Sequence, residues 1–359
     1  MLNHASFGVM TTEIMDLATS VRAELEEDSL ALVDVLALLP RLQHASETCA
    51  HVLGLEPGSF ALTQNATAGA AALMRSLPLR EGDQVVVMST EYASILRGWQ
   101  VRCEETGASF LPLAVELPVR SVEQLIGSLE AKVRGAVKIA QLSLVSSSTA
   151  VAFPVEALTR WFRSRGAAVA IDAAHGPGHV ELDPVRWGAS AMFGTLHKWF
   201  PTPRPVGFIW LATELRDAVR PAEVSLTWDA SDLVERFAWP GTYDPTPRLC
   251  VGAAMERWVA WRAAGDLDRC AGLAGYASSR LGEVGGVPTS CESMRPPRMR
   301  AVVLEGPHPE RVRAAMDDAE IRAWTGAGPG GETMLRVATH VYNDESDVDR
   351  LCDVVTSLR

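Results

Sequence analysis

The chain has 359 residues, which at roughly 150 residues per domain points to two domains, and 47% hydrophobic against 21% charged residues excludes both a disordered chain and a disulfide-stapled miniprotein. Its 33 basic and 44 acidic side chains leave a net charge of −11 with no clustered Lys/Arg, so no nucleic-acid partner is expected. Cys49, Cys103, Cys250, Cys270, Cys291 and Cys352 lie far apart without a Cys-x-x-Cys pair, which suits a reducing cytoplasmic setting and predicts no metal site. The greasiest run, Leu30 to Leu39, is interrupted by Asp34 and stopped by Pro40, so no membrane span is expected.

In chain order, helical segments near 12 to 53 come first, with a break expected at Pro40. A strand at Ser59 to Thr63 and a small-residue helix from Ala66 to Leu77 follow. Strands are then predicted at Gln84 to Met88, Ser109 to Leu113, within Val137 to Val145, at Ala167 to Ile171 and at Val206 to Leu211. Helices at Tyr92 to Thr106, Ser121 to Val133 and Pro154 to Arg165 alternate with them. Apolar runs without polar alternation suit strands covered on both faces, so the fold class is α/β, with a mostly parallel sheet flanked by helices. From about Asp266 the order changes to helix, strand (Met299 to Leu304), helix, strand (Met334 to Thr339) and helix. That predicts a large domain over 1–265 and a smaller α+β domain over 266–359, with the glycine-dense stretch Gly326 to Gly331 as a mobile loop.

In such sheets ligands sit at the loops after the carboxyl ends of strands, and four segments there carry chemistry. Ile171-Asp172-Ala173-Ala174-His175-Gly176 delivers a carboxylate and an imidazole from an apolar strand. Asp172 suits a protonated ring nitrogen, a metal or a ribose hydroxyl as well as a plain turn cap. Phe193-Gly194-Thr195-Leu196-His197-Lys198-Trp199 places a lysine at the exit of a buried strand, where desolvation lowers its pKa toward that of a Schiff-base lysine. Only three lysines exist, Lys132, Lys138 and Lys198, so the candidates are few. In the third, Thr63-Gln64-Asn65-Ala66-Thr67, a strand opens into a helix whose free N–H groups favour an anion, although Asn65 and Thr67 are also ordinary caps. Leu335-Arg336-Val337 puts a guanidinium inside an apolar strand, where either a substrate carboxylate or an internal Asp/Glu must meet it.

Taken together, with Asn3-His4-Ala5-Ser6-Phe7-Gly8 at the start, Trp239-Pro240-Gly241-Thr242, and Tyr342-Asn343, these motifs follow the order and spacing of one family. The chain resembles the class V aminotransferases, fold-type I enzymes that use pyridoxal 5'-phosphate (PLP), in the isopenicillin N epimerase-like and cysteine desulfurase-like branch. The resemblance implies that Lys198 is the catalytic lysine joined to PLP and that Asp172 bonds the pyridine nitrogen. Tyr92 is then placed to stack on the ring and His175 to meet the phenolic oxygen. It assigns the phosphate to Asn65, Ala66, Thr67, Thr195 and His197, with Thr242 supplied by the other subunit of a homodimer. Arg336 is the expected grip on the substrate α-carboxylate, and Asn3 and His4 belong to a segment reaching the active-site entrance.

The resemblance leaves three fates open after α-proton removal: C–S cleavage by β-elimination, epimerisation and transamination. Ala323 to Met334 contains no cysteine where desulfurases need their nucleophile, which disfavours persulfide chemistry. Leu144 stands where desulfurases carry an asparagine, Ala150 where a glycine is usual, and Tyr243 where epimerase-like relatives often carry arginine. A C–S lyase acting on a cysteine-type amino acid in specialised metabolism is the leading expectation, ahead of an epimerase or aminotransferase. A nucleotide-dependent oxidoreductase lacks its Gly-x-Gly-x-x-Gly fingerprint here, and a catalytically silent scaffold is at odds with intact Lys198, Asp172 and Arg336.

Overall fold

A computed structural model describes residues 1–358. Seven strands, β1 (Phe60–Thr63), β2 (Gln84–Met88), β3 (Ser109–Leu113), β4 (Ile139–Ser143), β5 (Ala168–Asp172), β6 (Ala191–Thr195) and β7 (Gly207–Leu211), form a sheet ordered β1-β7-β6-β5-β4-β2-β3. Pairs from β3 through β6 are parallel, whereas β7 runs antiparallel to β6 and to β1. Every residue of β1, β4, β6 and β7 is buried, which is why these strands are mostly apolar rather than alternating, their few polar residues, Gln141 among them, being buried as well. One face carries Leu142, Ile171, Met192 and Phe208 into a core layer, and the other carries Ala170, Phe193 and Ile209 against Trp99.

A second, antiparallel sheet holds β8 (Gly286–Pro288), β9 (Met299–Leu304), β10 (Trp324–Ala327) and β11 (Thr333–Ala338) in the order β10-β11-β9-β8. Leu273, Leu281, Leu335 and Leu351 pack between this sheet and the helices Asp266–Glu283 and Glu345–Ser357. The first residues of the chain join this second unit. Leu2 is buried in its core, Asn3 bridges Ala338, and the Ala338 N–H donates to the Leu2 carbonyl at 2.8 Å.

Three local expectations are corrected. Pro40 does not break its helix but lies inside Val35–Val52, where buried Leu38, Leu42 and Cys49 hold the segment against the core despite the missing N–H. Gly326 to Gly331 is a β-hairpin end rather than a loose loop. Gly326 and Ala327 pair with Met334 and Thr333, and the Gly328 N–H donates to Glu332 O at 2.7 Å. The short strands β8 and β10 escape the periodicity because three or four residues with glycine or proline carry no readable alternation.

Ala150, buried, has a φ of +51°, so it occupies a left-handed conformation that costs an L-residue roughly 1–2 kcal/mol. Ala150→Gly is expected to change stability by under about 1 kcal/mol, because strain relief offsets the lost methyl contact. Ala150→Val should cost at least about 2 kcal/mol, a β-branched side chain being excluded at positive φ in a packed site. Denaturant midpoints of the three proteins check both values.

Candidate active site

The parallel strands and β1 present their carboxyl ends along one edge of the sheet, and β7 starts there. Register aligns the ends: Ser143 pairs with Asp172, Asp172 with Phe193, and both Thr63 and Thr195 with Gly207. A Cβ on Gly207 would lie 2.5 Å from the Asn65 carbonyl carbon, so only glycine lets the turn that opens the Ala66–Ser76 helix rest on β7.

Asp172 ends the central strand, buried, with the Ala174 N–H donating to its Oδ1 at 2.7 Å. Burial raises its pKa, which the Ala174 amide, the Lys198 ammonium and the neighbouring Glu91 carboxyl pull back down. Lys198 leaves β6 half-buried, its Nζ 3.2 Å from His175 Nε2. Burial lowers its pKa to about 8, reinforced by the Arg336 charge and opposed by Asp172 and Glu91. The His175 imidazole is held well below its ordinary value by burial first and then by the Lys198 and Arg336 charges, so it is neutral. Its Nδ1 is buried without a partner.

Arg336 points from β11 toward the same place. Its guanidinium lies over the Trp324 ring, 5.3 Å from the centroid, and no Asp or Glu pairs with it among the described residues. Neutral acceptors hold it instead: Asn3 Oδ1 at 2.7 Å, Ser6 Oγ at 3.0 Å, and the Ser147 carbonyl. Burial alone lowers its pKa to about 10, and its Nε–H is an orphan. The internal carboxylate partner that the sequence left open is therefore absent among the described residues, and the site is open to an outside one.

The N-terminal segment closes over this edge. A Cβ on Gly8, at φ +68°, would stand 1.9 Å from the His197 carbonyl oxygen, and Arg204 Nη1 donates to the Gly8 carbonyl at 2.8 Å. Asn3 is at the site, on Arg336. His4 is not an entrance group: it is buried, stacked on His340 at 3.7 Å, with Nδ1 2.9 Å from the Tyr342 hydroxyl. An apolar wall of rings accepts it only as a neutral imidazole, its pKa lowered to about 3 by burial.

The phosphate candidates separate by what their atoms already do. Asn65 spends its side-chain oxygen capping the helix, accepting from Ala68 N at 2.9 Å, so it shapes the cradle rather than supplying a donor. The first two N–H groups of that helix, on Ala66 and Thr67, are left for an anion, and Thr67 is exposed beside them. Thr195 already donates its hydroxyl to Ala174 O at 3.1 Å. His197, buried with its pKa lowered to about 4, has Nδ1 against the Val206 backbone at 2.9 and 3.2 Å and offers Nε2. Tyr92, half-exposed, is the N-cap residue before the helix Ala93–Thr106, and Thr242 is exposed. Leu144 is core, packed under Gly176. A buried carboxylate, a low-pKa amine, an orphan imidazole nitrogen and a helix start with free donors fit a phosphorylated pyridine aldehyde such as PLP.

The profile of the aminotransferase class-V family matches residues 39–351, so the chain belongs to that family. An isopenicillin N epimerase from Amycolatopsis lactamdurans is 26% identical over 99% of this chain and 94% of its own length. A probable chloroplastic L-cysteine desulfhydrase of Arabidopsis thaliana is 25% identical over 71% of this chain and 57% of its own. Among solved structures, the cystine C–S lyase C-DES in complex with its product cysteine persulfide superposes with a TM-score of 0.86 at 17% identity, covering 99% of this chain and 97% of that one. A C-DES mutant with glycine covalently linked to the PLP cofactor gives a TM-score of 0.85 at 17% identity over 100% and 96%. The fold is that of fold-type I PLP enzymes.

Three residues of the site were passed over in the sequence. Ser6 stands in the Asn3 to Gly8 motif without a role assigned to it, Ser147 is a small hydroxyl in a loop, and Glu91 reads as an ordinary acid before a helix.

Five histidines, His4, His175, His179, His197 and His340, are buried with lowered pKa values, desolvation being the largest cause for each. Unfolded, each takes a proton below its ordinary 6.5; folded, none does until far lower, so stability is full above that pH and falls with acidification. Asp172 and Glu91, with raised values, act in the opposite sense over part of the same range. The expected outcome is cooperative unfolding by about pH 5 with net uptake of more than one proton, read from the pH dependence of Tm.

Proposed function

We propose that this chain is a PLP-dependent enzyme that acts at the α-carbon of an amino acid and cleaves the C–S bond of a cysteine-type or otherwise β-substituted substrate, as a cytoplasmic homodimer. The observation that carries this reading is a buried arginine with no carboxylate partner, set in one site with an amine whose pKa is lowered to about 8. PLP, when bound, supplies an electron sink for charge left on the substrate α-carbon. Lys198 would hold it covalently, Asp172 its ring nitrogen and His175 its phenolic oxygen. Tyr92 would cover the ring. The N–H groups of Ala66 and Thr67, the side chains of Thr67 and His197, and Thr242 of a second copy would take the phosphate, with Thr195 holding the Ala174 carbonyl beside it.

Arg336 performs the binding step, since its unpaired Nε–H and the exchangeable contacts to Ser6 and Ser147 suit a planar carboxylate. Lys198 is the base for the α-proton, being neutral above about pH 8 and hydrogen-bonded to a neutral His175 that does not compete for charge. The sulfur leaves on the substrate's own fragment. Cys352 is buried with its thiol pushed up to about 11, and none of the residues 323–334 is a cysteine, so no protein thiol near Arg336 is suited to accept it. The family membership and the L-cysteine desulfhydrase among the relatives support the same assignment, while the isopenicillin N epimerase among them supports epimerisation as the second reading.

Protein incubated with PLP should acquire visible absorbance that Lys198→Ala lacks. The rate of PLP attachment should rise with pH to a plateau just above 8, because only the neutral amine attacks; an unshifted lysine would keep rising toward 10.5. With cysteine conjugates the holoenzyme should release a free thiol, ammonia and a 2-oxo acid. Inverted amino acid without thiol would assign epimerisation instead. Arg336→Gln should lower kcat/KM by roughly a hundredfold, from loss of a charge-assisted contact to the carboxylate.

A further inference from the structure

Glu91 follows β2 and is buried, with no cationic side chain paired to it among the described residues. Each of its oxygens already receives a donor: Oε1 from Tyr92 N at 2.8 Å, Oε2 from Gln141 Nε2 at 3.3 Å. The second of these is not free to reverse. Gln141 Oε1 accepts the Trp99 indole N–H at 3.1 Å, and because an indole is a donor only, the amide must turn its NH2 toward Glu91. Trp99 and Gln141 are both fully buried, so the arrangement is packed in place. Gln141 and Ser143 of β4 share a face of the sheet, and Ser143 pairs with Asp172 of β5, so the Glu91 carboxyl bound to Gln141 is set beside that of Asp172.

Two adjoining carboxyls away from water do not both ionise. Asp172 has the Ala174 amide and the Lys198 ammonium to stabilise its charge, whereas Glu91 has only neutral donors, so the proton stays on Glu91. The groups facing the pair are Lys198 from the loop after β6 and Ser143 from β4.

We infer that Glu91 is a positioning residue of this site: as a neutral acid it donates to Asp172 and fixes the direction of that carboxylate, while the same carboxyl anchors the amide of Tyr92. One buried acid thereby ties the residue expected under the ring nitrogen to the residue expected on the ring face. The inference rests on the PLP reading above.

The test is a double-mutant cycle on PLP affinity, using Glu91→Ala and the size-conserving Glu91→Gln, each in the parent and in the Asp172→Asn background. Glu91→Gln places its NH2 against that of Gln141, so it too should lose the contact. Either change should weaken PLP binding roughly tenfold in the parent and under about twofold once Asp172 is replaced. Equal loss in both backgrounds overturns the inference, because a merely structural role does not depend on Asp172. A second measurement needs no cofactor: the infrared spectrum of the apoprotein at pH 7 should contain a protonated carboxyl band that disappears in Glu91→Gln. A parent spectrum without that band overturns the proposed pair. A parent that shows the band yet binds no PLP overturns the PLP reading and, with it, the role assigned to the pair.

Discussion

One carboxylate has to stay ionised where water does not reach it. Asp172 ends β5, the middle strand of seven, and the elements around it are arranged so that its charge is tolerable. The Ala174 amide turns back onto it, Lys198 brings a cation from the neighbouring strand, and Glu91 brings a proton from the strand beyond β4. A buried anion in a low-dielectric site is stable only with such a surround, and building the surround brings an amine, an imidazole and two carboxyls within reach of each other.

Arginine chemistry sets the second constraint. Arg336 lies on the other sheet and is held by uncharged groups drawn from two distant places: the N-terminal Asn3 and Ser6, and the loop after β4 through Ser147. Neutral partners hold a guanidinium in place without cancelling its charge, which is the difference between an ion pair that stabilises a fold and a cation kept available for a ligand. The same N-terminal residues press Gly8 onto the backbone of His197, so the position of Arg336 and that of the lysine loop are set by one short segment.

Much of this was legible in the chain. Lys198, Asp172, His175 and Arg336 each stand out because a polar residue at the exit of, or inside, an apolar run has no cheap explanation, and the structure brings all four to one edge. The contacts that position them were not legible. Ser6 and Ser147 meet Arg336 from 330 and 189 residues away, distances over which no local pattern carries information. The orientation of Gln141 on β4 depends on a buried indole in the helix Ala93–Thr106, and His4 turned inward because His340 and Tyr342 offered it a face. Pro40 and the hairpin at Gly326 show the opposite failure, in which a strong local signal yields to tertiary packing.

The segment that closes the site is separated from the strand it joins by most of the chain, and such a segment is among the last to find its place. Leu2 and Asn3 pair with Ala338, in the last strand of the second sheet, more than 300 residues away, so this end of the segment cannot dock until that strand is in place. Contacts of such long sequence separation form late because the loop they close is costly to order. A nascent chain can therefore complete its seven-stranded sheet with the lysine loop still uncovered on the N-terminal side. The finished site comes into being only as the segment around Asn3 meets β11, which makes its assembly a report that the second sheet is in place.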